Sequence, residues 1–275
     1  MTGAWLVRGD TLSEWRAFGP SSLLWVHGKR RFKPPVYSST EADSYFPFVA
    51  GSGKSVLWCV NPSIISLSEL TTLVSSTIIQ EIDVMRKSGL ASLAFYYHDF
   101  REDQKQDRRG LLSSVLFQLC DQSDSYHDIL STFYSTHRHG AQNPSNDELL
   151  LCLKELLDLP GQAPVYLIID ALDECPNTSA IPSPREQVLT LLEHLVESRL
   201  RNLRLCVTSR PETDIKIVLE PLTFRSISIH DEIGQKEDIE NYIRSVVSTD
   251  PKNRRWKQED KELVIKALTE RADGM

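Results

Sequence analysis

The sequence predicts an α/β three-layer sandwich, with a mainly parallel central sheet and helices on both faces. Three observations carry this expectation. Short apolar runs alternate with amphipathic stretches along most of the 275 residues, the order in which parallel strands and crossover helices follow one another. A glycine-rich turn, Ala50-Gly51-Ser52-Gly53-Lys54-Ser55, runs into apolar Val56 and Leu57, as a loop does on entering a helix. Two apolar runs end in the charged residues Asp170 and Arg210, which a parallel sheet would gather at its carboxyl edge.

Residues 2–22, with Trp5, Leu6, Leu12, Trp15 and Phe18, read as a helical lead-in that ends at the Gly19-Pro20 turn. Residues 23–27 are a buried parallel strand ending at Gly28. A rival strand at 45–49 contains Pro47, which cannot donate to a sheet ladder. The helix opening at Lys54 meets Asn61-Pro62, and Ser-Thr-rich sequence follows until an apolar helical pattern resumes over 75–82; a helix restarted from about Ser68 through Arg86 could partly compensate for the break. Downstream, strands are expected at 92–98, 165–170, 203–208 and 225–229. Helices are expected at 109–120, 147–159 (capped by Ser145 or Asn146), 185–199, 211–219, 236–247 and 260–271.

The glycine-rich turn is a phosphate cradle in its residue types. Glycines let successive backbone N–H groups converge on an anion, the helix N-terminus adds its dipole, Lys54 reaches the β- and γ-phosphates, and the Ser55 hydroxyl can ligate Mg²⁺. The full pattern G-x-x-x-x-G-K-[ST] wants a glycine five residues before Gly53, where this chain has Phe48. Lifting out residues 30–49 brings Gly28 to that position, and lifting out 58–74 joins Leu57 to Ser75 as one helix. Both segments are therefore expected insertions within a single domain. They are short, unlike their flanks and removable without loss of pattern, as translated introns would be. Surface loop insertions are the alternative, because loop closure costs rise only as about (3/2)RT ln n.

Two strand ends supply the remaining chemistry. Asp170 fits the acid that holds Mg²⁺ opposite the cradle serine. Asp173 and Glu174 follow at the same edge, where a carboxylate can orient or deprotonate a water. Arg210 can reach a γ-phosphate. Gly28, Gly51, Ser52, Gly53, Lys54 and Ser55 are thus the candidate nucleotide-binding residues, Ser55 and Asp170 the metal ligands, and Asp173, Glu174 and Arg210 the catalytic candidates.

Composition narrows the partners. A net charge of −7 leaves no electrostatic footprint for nucleic acid. No apolar run approaches the ~20 residues of a membrane helix, and no signal-peptide core opens the chain, so a cytosolic protein is expected. The five cysteines lack C-x-x-C spacing, which argues against a disulfide frame or a zinc site. No histidine has a partner at metal spacing, and no G-x-S-x-G elbow is present.

Ala-Gly-Ser-Gly-Lys-Ser, Leu-Ile-Ile-Asp-Ala-Leu-Asp-Glu-Cys and Leu-Arg-Leu-Cys-Val-Thr-Ser-Arg-Pro-Glu together resemble the NACHT-type P-loop NTPases. More narrowly, they are similar to the nephrocystin-like N-terminal domains of fungal signalling proteins. The opening Gly-Ala-Trp-Leu, the Phe-Tyr-Tyr-His-Asp-Phe stretch and the final Ala-Asp-Gly-Met fit the same pattern. The resemblance implies an ATP- or GTP-binding signalling switch with Mg²⁺ and slow hydrolysis, which self-associates or joins other signalling domains. A binder without turnover is the runner-up, and a fragment impaired by its interruptions is the third reading. Members of the family continue into a winged-helix region and repeats, so a chain ending at Met275 is expected to be truncated.

Overall fold

A computed structural model describes residues 10–28, 67–99, 106–138, 140–228, parts of 240–248, and 256–272. Its centre is a five-stranded sheet of β1 (Ser22–His27), β2 (Ser92–Tyr97), β3 (Val165–Asp170), β4 (Leu203–Ser209) and β5 (Arg225–Ser228). The spatial order is β2-β3-β4-β1-β5, and every pairing is parallel. β3 and β4 are buried along their whole length, which is why they read as continuous apolar runs instead of alternating ones.

Side chains alternate between two cores, as the pleat requires. Leu23, Trp25, Leu167, Ile169, Leu205 and Val207 face one core. Against it pack α3 (Arg108–Cys120), α4 (Asp124–Thr136), α5 (Asn146–Leu157), α6 (Pro184–Glu197) and α7 (Thr213–Leu222). Leu24, Val26, Tyr166, Ile168 and Cys206 face the other core, beneath α1 (Asp10–Ala17) and α2 (Leu67–Lys87). Near the end of the described residues lies α8 (Gln258–Ala272). The expected three-layer α/β fold is therefore the observed one.

Helix starts follow their capping chemistry. Ser145 and Ser183 each accept from the N–H three residues on, while Glu148 and Glu186 reach back to the cap N–H groups, closing two capping boxes. Of the two caps expected for α5, the serine serves. α2 begins one residue before the expected restart at Ser68 and runs unbroken through 74–75, so its first eight residues belong to the expected insertion 58–74. The expected helix at 211–219 instead spans Thr213–Leu222. Of the helix expected at 236–247, residues 240, 241, 243–245 and 247 are described and helical; the other half lies outside the described residues, as do residues 30–49.

Helix α4 was not expected from the sequence. Its residues are largely Ser, Thr, Asp and His, poor helix formers, yet Tyr126, Ile129, Leu130 and Phe133 recur at helical spacing and meet the main core. Tertiary packing outweighs propensity here.

β2 is an edge strand, and its outer ladder is covered by side chains. Gln122, in the turn that follows α3, accepts from Leu93 N–H at 2.9 Å and donates to Leu93 C=O at 2.6 Å. One turn earlier, Gln118 makes the same pair with Phe95, at 3.1 and 2.8 Å. Two amides four residues apart, one on the last turn of α3 and one just past its end, thus imitate a neighbouring strand across residues spaced i,i+2, closing an edge that would otherwise template association. Replacing both glutamines with leucine should cost about 1–3 kcal/mol for each edge pair left without partners. It should also promote aggregation, read from urea midpoints and light scattering; a variant that stays monodisperse and equally stable would refute the capping role.

Candidate functional site

The topology locates the site before any side chain is considered. The chain leaves β1 toward β2 with α2 on one face, and leaves β4 toward β5 with α7 on the other. Neighbouring strands β1 and β4 therefore send their connections to opposite faces, and a crevice opens between their carboxyl ends. His27 pairs with Ser209 at that edge, and buried Gly28 follows β1 directly. The two ends are tied by the Trp25 indole N–H donating to Ser209 Oγ at 2.9 Å. The His27 ring lies 2.8 Å from Ser226 Oγ on the far side of β1.

Asp170, the last residue of β3, is 2% exposed. A buried carboxylate needs hydrogen-bond donors, and the neighbouring strand supplies one: the Thr208 hydroxyl donates to Asp170 Oδ1. The same Thr208 oxygen accepts from Ala171 N–H at 3.0 Å, so one side chain serves both the acid and the turn after it. The Asp170 carbonyl accepts from His98 N–H at 3.1 Å, which binds the end of β2 to the same place. Ala171 adopts a left-handed conformation (φ 55°, ψ 45°), which costs a non-glycine residue about 1 kcal/mol. It turns the chain into a single 3₁₀ turn over Leu172–Glu174, sinking Leu172 into the core.

Asp173 then faces the end of β4. Its Oδ1 accepts from the Arg210 backbone N–H at 3.0 Å, and its Oδ2 lies 3.2 Å from Arg210 Nε. Glu174 is half-buried beside it. Behind this loop sits Arg185, 6% exposed. Its Nη2 donates to Asp173 C=O at 2.7 Å and its Nε to Cys175 C=O at 2.9 Å. Its Nη1 reaches Glu212 at 2.6 Å and Asp214 at 3.2 Å. Burial pulls the Arg185 guanidinium down, but the Glu212 and Asp214 carboxylates outweigh it and the net direction is up. Burial raises Cys175 to about 12 and Cys152 to about 11, so these thiols stay protonated and are not nucleophiles.

Of the sequence-predicted residues, Asp170, Asp173, Glu174 and Arg210 meet at adjacent ends of β3 and β4, and Gly28 closes β1 one strand away. Gly51, Ser52, Gly53, Lys54 and Ser55 lie outside the described residues. Among the described residues no cluster of three or more His, Cys, Asp or Glu could hold a metal by itself, and no helix is long and apolar enough to cross a membrane. Thr208 and Arg185 escaped the sequence reading. Each left a signal: Thr208 is a hydroxyl inside an apolar run, and Arg185 is a cation in a first helical turn, where the helix dipole disfavours it.

Comparison with known proteins adds a family. Residues 71–210, just over half of the chain, match the family model described as Nephrocystin 3, N-terminal. The match takes in α2 through β4, including Asp170, Asp173, Glu174 and Arg210. No curated protein matches the sequence. Among solved structures, the Aeropyrum pernix ORC2 protein in its ADPNP–ADP complexes aligns with 88% of this chain and 51% of its own, at 15% identity and a TM-score of 0.43. Drosophila ORC bound to DNA aligns over 96% and 55%, at 13% identity and 0.37. C. elegans PCH-2 aligns over 77% and 60%, at 15% identity and 0.28. The chain thus spans between half and three fifths of those chains.

The Thr208 hydroxyl can be tested directly. Thr208→Val should destabilise the fold by about 2–3 kcal/mol, because it strips a partner from a buried carboxylate and from a backbone N–H. Thr208→Ser should lose little. Equal urea midpoints for the valine and parental chains would refute this arrangement.

Proposed function

Since the chain belongs to the nephrocystin 3 N-terminal family, we propose that it is a NACHT-type nucleotide-binding module, taking ATP or GTP with Mg²⁺ and hydrolysing it slowly as a conformational switch for self-assembly. One arrangement supports this reading above the rest. Asp170 and Arg210 close two adjacent buried strands beside the end of β1, and the sequence after β1 leads to Gly51-Ser52-Gly53-Lys54-Ser55.

The residues suit a magnesium nucleotide. Mg²⁺ favours one or two carboxylates, a hydroxyl and phosphate oxygens over an all-protein cage, which agrees with a single buried acid, Asp170, and no larger cluster among the described residues. Asp170 and Ser55 would hold the ion, which when bound would neutralise phosphate charge. Thr208 fixes one Asp170 oxygen and so the orientation of the carboxylate. Lys54 supplies the point charge for the β- and γ-phosphates, and Gly28 completes the cradle with residues 51–55. Glu174 is the base that draws a proton from an attacking water. Arg210 meets the γ-phosphate, to whose oxygens its planar guanidinium can donate two N–H groups.

Calorimetry with Mg-ATP and Mg-GTP tests the assignment. Lys54→Ala should abolish binding. Glu174→Gln should bind within about twofold of the parent and hydrolyse at least about a hundredfold more slowly, and parental turnover in that variant would remove Glu174 from the role. Deleting residues 30–49 should tighten nucleotide binding about tenfold, or 1.4 kcal/mol, by returning Gly28 to the cradle. Unchanged affinity would identify the segment as a benign loop.

A further inference from the structure

We propose that Asp173 is a positioning residue that sets how sharply the site separates nucleoside triphosphates from diphosphates, by competing with the terminal phosphate for Arg210. The inference rests on the nucleotide-binding reading above and assigns Asp173 a role other than hydrolysis.

The two partners are held very unequally. The Asp173 side chain is 10% exposed, whereas that of Arg210 is 41% exposed. Asp173 is anchored from behind, because its own carbonyl accepts from buried Arg185, which also grips Cys175 C=O on the same loop. Through Nη1, Arg185 holds Glu212 and Asp214 as well, and Glu212 N–H donates to Arg210 C=O at 2.9 Å. The acid loop and the backbone after β4 are therefore stapled to one guanidinium. Within that frame the Arg210 side chain is the element free to turn, and Asp173 Oδ2 takes its Nε.

An anion arriving at the β1–β4 crevice must win Arg210 from this carboxylate. Only a γ-phosphate extends far enough to contest it under the reading above, so a diphosphate leaves the pair intact. The apparent affinity for the triphosphate is then lowered by the fraction of time Arg210 stays with Asp173. Because Asp173 Oδ1 also accepts from the Arg210 backbone N–H, Arg210 keeps its place at the strand end when its side chain leaves.

The test uses the full chain titrated calorimetrically with the β,γ-imido analogues of ATP and GTP and with ADP and GDP, all with Mg²⁺. Asp173→Asn keeps an acceptor for the backbone N–H but removes the competing charge. It should raise triphosphate-analogue affinity about tenfold and leave diphosphate affinity within about twofold, as expected if Arg210 is released about a tenth of the time in the parent. Asp173→Glu should restore the parental ratio. Arg210→Gln should abolish the preference, and Asp173→Asn should add nothing in that background. Asp173→Ser serves the same purpose if the asparagine variant does not fold. A merely structural Asp173 would instead lower the melting temperature and both affinities together, overturning the proposal.

A second measurement needs no nucleotide. Exchange of the Arg210 Nε–H with water, followed by ¹⁵N NMR, should quicken in Asp173→Asn, and an unchanged rate would overturn the pairing. A parental chain that binds none of the four nucleotides overturns the nucleotide reading and this specificity role together. A chain that binds them with the same ratio in Asp173→Asn overturns the specificity role alone.

Discussion

The pairing of β3 with β4 is the constraint on which the rest of the site depends. Both strands are buried on both faces, so the polar side chains at their carboxyl ends must find partners within the protein. Register decides which groups meet. With Ile169 opposite Val207, the next residue of each strand brings Asp170 to the Thr208 hydroxyl. A slip of one residue would turn Thr208 toward the opposite face and leave a carboxylate in the interior without its donor. The cost of that uncompensated charge is what makes the register specific, beyond the non-directional attraction of the apolar side chains.

The two faces of the sheet do different work. Beneath α1 and α2 the core is small, and Trp15 locks the lead-in helix to β1 by donating to Ser22 C=O at 3.1 Å while its ring meets Tyr166 edge-on. Among the described residues, the opposite face carries five helices and the larger share of the buried apolar side chains. From that face come α6, which brings Arg185 behind the acid loop, and α3, which with the turn after it carries the glutamines that close the outer edge of β2. A sheet held in this way has little freedom of its own, so motion at the site is left to side chains and loops beyond the strand ends, where nucleotide-dependent switching would have to begin.

Much of the fold was legible because local patterns carried it. Apolar runs located all five strands to within a residue or so, and Ser145 stood among the two caps expected for α5. The exception, α4, was obscured by composition even though Tyr126, Ile129, Leu130 and Phe133 held the helical period, since its stability comes from the core it touches. The candidate site was legible in the same uneven way. Asp170 and Arg210 declared themselves as charges ending apolar runs, whereas Thr208 and Arg185 were assigned only to a strand and a helix, with no role for their side chains.

By itself the sequence determined which chemical groups stand at the strand ends: a carboxylate after 165–169, two more acids on the next turn, an arginine after 203–209 and a glycine after 22–27. These are local facts, set by runs of apolar residues and the first polar residue that breaks them. Tertiary structure alone decided their partners. That Thr208 serves Asp170, that Asp173 holds Arg210, and that Arg185 staples both loops depends on pairings between residues 12 to 38 positions apart. No local periodicity encodes these contacts, because strand order and register are chosen by the burial of the whole sheet between its two layers of helices.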